Sequence, residues 1–191
     1  MLKKTKKLTL YFKILKFFLI PTILLSTPFF FTIQDTKAGL EFQWNQRSGY
    51  KRLKWLQKQN KRRFKNKIYF FLTPFDRNAE LLKLSLAIPK PFKSTLKTEK
   101  IKLCKVKIGG FETRTKCLED IPADIEIITD KSLRSINIYP YKPIPNDKDS
   151  YAIVLKVNNP NKSGLFQFHL NGQYKGDTVS SYLGSSTLVI D

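Results

Sequence analysis

Cys104 and Cys117 are the only two cysteines of this 191-residue chain, and they bracket the segment KVKIGGFETRTK. Paired thiols can form a redox couple, part of a metal site or a structural disulfide. A redox couple calls for a C-x-x-C spacing or a neighbouring base, and the sequence has neither. A structural zinc site needs four ligands, and two cysteines with one histidine fall short. A structural disulfide is the expectation, with two free structural thiols as the alternative. A four-residue turn over 109–112 would set Ile108 opposite Thr113 and Cys104 opposite Cys117 across two antiparallel strands, where a disulfide can form. A two-residue Gly-Gly turn would miss that pairing by two positions.

The tightest acid groupings are Glu119-Asp120 and Asp147/Asp149. Paired carboxylates can hydrolyse glycosides or hold calcium. Here one pair runs into Ile121-Pro122 and the other lies in the turn-like PNDKDS, where Asx-turns account for such residues. His169, the single histidine, sits in LFQFHL with no cysteine or carboxylate nearby in sequence. Strand alternation places it on the more polar face, as a surface histidine. No phosphate-binding loop, dinucleotide fingerprint, nucleophile elbow or zinc motif occurs. The expectation is a non-catalytic protein with no cofactor and no metal. The alternative is an envelope polysaccharide hydrolase whose acids come together only in the fold.

The elements that must carry these residues begin after an address label. Residues 2–16 hold six lysines and no acid, and the 17 residues 17–33 form an apolar run broken by Pro21 and Pro28. Thr36 and Ala38 then occupy small-residue positions of a cleavage site, so 1–38 reads as a Sec-type signal peptide. A retained membrane anchor competes, because the run is at the short edge for spanning a bilayer. The expected destination is the periplasm or thylakoid lumen.

Lysine and arginine total 35 against 15 acids, a net charge of +20. From 47 to 67 there are ten basic residues and no acid. The lead-in 39–67 therefore supplies the candidate contacts to an anionic partner: Arg47, Lys51, Arg52, Lys54, Trp55, Lys58, Lys61, Arg62, Arg63, Lys65 and Lys67, with Trp44 nearby. An exported protein is expected to meet anionic lipid, cell-wall polymer or an acidic protein rather than nucleic acid. Heavy use of Lys, Asn, Ile and Phe can also raise the charge with no partner involved. Tyr50, Leu53, Leu56 and Phe64 are at roughly helical spacing, so the lead-in is expected to be a partial helix or an extended stretch.

From 68 onward short apolar runs alternate with Pro, Gly and Asn punctuation. Candidate strands are 68–72, 81–88, 100–108, 123–129, 134–140, 151–158, 165–171 and 186–190. No helical segment is long enough for parallel crossovers, so 68–191 is expected to be an all-β, antiparallel, Ig-like sandwich, monomeric.

One constellation carries more than pattern. Pro143-Ile144-Pro145, the run 151–157, Asn159-Pro160, the segment 164–168 and Tyr182-Leu183-Gly184 follow one another in the C-terminal third. With LSLAIPKPF at 84–92, this resembles the cyanobacterial exported Domain of Unknown Function 2808 family over most of 68–191. The resemblance implies an exported all-β protein and carries over no catalytic residue. Asn146 follows Pro145 where the family more often has glycine.

Overall fold

The computed structural model describes residues 49–110, 112–130 and 133–191. The expected leader 1–38, Trp44 and Arg47 lie outside the described residues. Among the described residues there are ten strands: β1 Trp55–Gln57, β2 Lys65–Leu72, β3 Leu81–Ala87, β4 Ile101–Lys107, β5 Lys116–Ile121, β6 Ala123–Thr129, β7 Arg134–Pro140, β8 Tyr151–Asn158, β9 Gly164–Tyr174 and β10 Ser181–Ile190. They form two five-stranded sheets, ordered β1-β2-β8-β4-β5 and β10-β9-β3-β7-β6. Every pairing within them is antiparallel. The expected all-β, Ig-like sandwich is thus the observed architecture.

Alternation explains which residues meet between the sheets. Ile68, Phe70 and Leu72 of β2 face Leu84 and Leu86 of β3 and Phe166, Phe168 and Leu170 of β9 in one core. Phe92, from the loop after β3, closes that core, its ring 5.0 Å from Phe168 and 5.3 Å from Phe166 at steep angles. The central strands β2 and β8 are apolar on both faces. Tyr69, Phe71, Ala152 and Val154 turn away from the main core and form a second buried cluster with Cys104 and Val106. Burial on two faces is why these strands read as continuous apolar runs rather than alternating ones.

The lead-in departs from the sequence reading in two ways. No α-helix occurs among the described residues, so the partly helical alternative for 50–64 gives way to extended chain. Leu53 is fully buried in the main core while Phe64 is exposed, so the apparent helical stripe is not a common face. The boundary expected at 67/68 also falls inside β2. Lead-in residues 51–57 strap the two sheets together along one edge. Leu53 N donates to Ser185 O (2.8 Å) and Ser185 N to Lys51 O (2.7 Å) on β10, and β1 then pairs with β2 in the other sheet. The Gln57 side chain donates back to Val189 O of β10 at 2.7 Å.

Cys104 and Cys117 form the expected disulfide, with Cα atoms 5.7 Å apart. The register is not the expected one. Cys117 pairs with Val106, and Cys104 with Asp120, with a shift between Lys105 and Val106. Leu118 is the extra residue of this bulge. The connection runs over 108–115 instead of a four-residue turn, because Gly109 N bonds Thr115 Oγ1 (2.9 Å) and Gly110 N bonds Thr113 O (3.1 Å), closing a longer loop. The two cysteines therefore meet diagonally. Replacing both by alanine should cost roughly 3 kcal/mol on the chain-entropy scale for a loop of this size. Urea unfolding of that variant against the oxidised protein measures it, and the native protein under reductant should lose a similar amount.

Candidate functional site

At one end of the β1-β2-β8-β4-β5 sheet lies a groove of about 560 Å³ lined by Lys58, Lys65, Lys67, Lys97, Lys100 and Lys156, with no carboxylate among the described residues that line it. Four segments bring these side chains together. Strand alternation puts Lys65 and Lys67 on the outer face of β2, and Lys156 on the outer face of β8. Lys97 precedes and Lys100 ends a 3-10 turn at Thr98–Lys100, where Lys100 N donates to Lys97 O. Lys58 follows β1.

Lys67 and Lys156 are direct cross-strand partners. Like charges opposite one another destabilise a sheet, so this pairing costs stability in the free protein. The Lys67 ammonium is steadied by the Tyr69 ring, 4.8 Å from its centroid. An anion seated between the strands would relieve the repulsion.

Two buried asparagines fix the wall of the groove. Asn66 Oδ1 accepts from Lys58 N and Gln59 N, both at 3.1 Å, and its Nδ2 donates to Asn159 Oδ1 at 2.9 Å. Asn159 Nδ2 in turn donates to Gln59 O and Lys61 O. The Asn159-Pro160 pair, read in the sequence as turn punctuation, is therefore the clamp that holds the loop after β1.

The ten candidate contacts among the described residues do not form one surface. Lys58, Lys65 and Lys67 line the groove. Arg52, Lys54 and Trp55 line a separate cavity of about 770 Å³ with Leu56, Phe71 and Ile108, where the Arg52 guanidinium lies 4.9 Å from the Trp55 ring centroid. Trp55 is half-buried and packs against the main core. The Lys51 ammonium is held by Phe75 O and Asp76. Lys61, Arg62 and Arg63 are exposed in the clamped loop, with Arg62 N bonded to Asp191 O. Lys97, Lys100 and Lys156 were outside the sequence-based set, because only the β2–β8 pairing and the fold of 95–100 bring them to the lead-in.

The other chemistry-bearing residues have structural partners. Asp147 Oδ1 accepts from Arg77 Nη2 and from Asp149 N, each at 3.0 Å, and its Oδ2 accepts from the Tyr151 hydroxyl at 2.8 Å. Asp149 forms an ion pair with Lys105. The Asp147–Asp149 bond is the Asx-turn expected there. Asp120 pairs with Lys102. His169 is exposed, as expected, with Nδ1 2.6 Å from Ser185 Oγ.

A model of the family described as Protein of unknown function (DUF2808) matches residues 43–190. The chain belongs to that family. No curated protein matches it. Among solved structures, this DUF2808 chain is similar to the collagen-binding domain of a Staphylococcus aureus adhesin, at 12% identity and TM-score 0.39, covering 72% of this chain and 95% of that one. It is also similar to BslA, a bacterial hydrophobin, at 10% identity and TM-score 0.43, covering 73% and 97%. The C-terminal fragment of the major pilin GBS80 of Streptococcus agalactiae matches at 9% identity and TM-score 0.43, covering 73% and 55%. Several DUF2808 motif residues hold the structure together here. Pro143, Ile144 and Pro145 line a cleft beside Tyr151, Asn159 clamps the lead-in, and Gly184 lies under the strap.

Proposed function

We propose that this DUF2808 protein is an exported, non-catalytic binding module that holds an anionic cell-wall polymer in the groove between Lys58 and Lys156. The observation that carries this reading is the convergence of six lysines from four segments on one groove, without a carboxylate among the described residues that line it. The opposed Lys67–Lys156 pair supports it, since a cost in the free protein is recovered when an anion binds. The groove is concave, which suits a chain of charged groups better than the plane of a membrane. Among the described residues, no aromatic ring lines it to stack nucleotide bases.

The test is sedimentation or calorimetry of the purified protein with polygalacturonate, a carboxylate polymer, and with phosphatidylglycerol vesicles, at low and moderate salt. Saturable binding to the polymer that persists at moderate salt is expected. The Lys67→Glu/Lys156→Glu variant should weaken it by about a thousandfold, because the charge of the groove falls by four units at ~1 kcal/mol each. Reversing Lys61 and Arg62, which lie in the loop outside the groove, should change it far less. Equal losses from both variants would show generic charge attraction, and binding to vesicles alone would make the partner a membrane surface.

A further inference from the structure

The outer face of the β10-β9-β3-β7-β6 sheet, on the far side from the lysines, has a different chemistry. Backbone register aligns Glu126, Asn137, Ser85, Asn171 and Tyr182 in one row across all five strands. A neighbouring row brings Ala87, His169 and Ser185 side by side. On the other flank Asp124 pairs with Tyr139, and Lys83 with Gln173. The Lys83 ammonium lies 5.0 Å from the Tyr139 ring centroid, which joins the last two pairs into a row.

In a chain of net charge +20 this face carries two acids against Lys83. Its middle rows are amides, hydroxyls and aromatic rings, and the paired Leu165 and Val189 are exposed at one end. Part of it is internally braced: Ser85 Oγ donates to Asn137 Oδ1 (2.7 Å), and Ser185 Oγ is bonded to both His169 and the Tyr182 hydroxyl. Gln167 and Asn171, both half-exposed, make no side-chain hydrogen bond with any described residue. Tyr139 and Tyr182 are 37% and 42% exposed, enough to offer a ring face to a ligand.

We infer that this face binds an uncharged, extended glycan laid across the strands. Two features of the face select that ligand. The first is spacing. Polar side chains recur across the sheet at the strand separation of about 4.8 Å, close to the repeat of an equatorially linked pyranose chain, so the chain can meet Glu126, Ser85, Asn171 and Tyr182 in turn, with Asn137 buried beneath it. The second is charge. An acidic polymer would face Asp124 and Glu126, whereas a neutral sugar meets no such repulsion and gains hydrogen bonds from them. The Tyr182 hydroxyl, already bonded to the buried Ser185 Oγ, loses little freedom on binding. The module would then hold a neutral chain on one face and an anionic one on the other.

Calorimetry of the purified protein with cellohexaose, a neutral extended glucan, tests this, with maltoheptaose as a neutral glucan of curved shape. Cellohexaose should bind with an affinity insensitive to salt, and maltoheptaose should bind more weakly. Asn171→Ala/Tyr182→Ala should weaken cellohexaose by about tenfold, a loss of ~1.4 kcal/mol. Gln167→Ala alone should give a smaller loss if the double variant folds poorly. Lys67→Glu/Lys156→Glu should leave cellohexaose binding intact, which separates this face from the groove. No binding of cellohexaose, binding abolished by salt, or wild-type affinity in the folded sheet variants would overturn the inference.

Discussion

Replacing Arg77 by methionine is expected to lower stability by about 3 kcal/mol, toward the lower end of what breaking a buried ion pair costs. The Arg77 side chain has no exposure, whereas that of Asp147 is 35% exposed, so water recovers part of the loss at the carboxylate. The guanidinium donates from Nη1 to Leu72 O at 3.1 Å, and from Nη2 to Asp147 O, Asp147 Oδ1 and Asp149 O at 2.9–3.0 Å. Its carbon lies 4.7 Å from the Tyr151 ring centroid. One residue thus ties the end of β2 to the loop before β8. Methionine fills the volume but leaves three carbonyls and a carboxylate short of a donor. Lysine keeps the charge without the planar fork and should recover less than half of the loss. Urea unfolding midpoints of the three proteins give the comparison.

The same node sets an alkaline limit. Burial first, and then the hydrogen bond to Asp147, hold the Tyr151 phenol above its ordinary value. An unfolded phenol ionises near pH 10. The stabilisation is therefore complete below that pH and is lost as pH climbs toward the raised folded value.

Gly184→Ala should cost about 2–4 kcal/mol, combining backbone strain with a clash that side-chain motion alone does not relieve. Gly184 has φ +148°, and a Cβ there would lie 2.7 Å from Lys51 O and 2.7 Å from Leu53 Cγ. The obstacle includes the backbone of the strap, so the 51–53 segment must lift off β10. Gly164 provides the control. It has φ +145° with nothing within 4 Å of where a Cβ would sit, so Gly164→Ala carries the strain alone. The difference between the two variants in thermal unfolding isolates the clash. Limited proteolysis should also cut 50–58 faster in Gly184→Ala than in Gly164→Ala.

The sequence made the sandwich legible because its strands repeat the two-residue period or concentrate β-branched and aromatic residues. The bounds of β7 and β8 match the expected segments, and the disulfide partners were evident once redox and zinc chemistry were eliminated. What escaped reading depended on contacts remote in sequence. β1 is three residues long, and its strand character comes from β2 beside it. The bulge at Leu118 arises from hydrogen bonds inside the 108–115 loop that residue types do not announce. Half of the groove was hidden for the same reason: Lys67 and Lys156 are neighbours only through strand pairing. The basic run itself was plain, but the fold commits Lys51 to an ion pair and sends Arg52 and Lys54 to another cavity.

The strap along the sandwich edge has a consequence for the order of events during folding. Leu53 and Ser185 are hydrogen-bonded across almost the whole length of the domain, as are Gln57 and Val189. Contacts of such separation form only after the closure entropy of a long loop has been met. Pairing of β1 with β2 is local and can form early, but the edge of β10 stays open until that strand has emerged, and the strap seals it in a late step. Sealing it covers unpaired backbone that would otherwise recruit another chain. For the export proposed above, in which the chain crosses a membrane unfolded, a last step that waits for the final strand is an advantage.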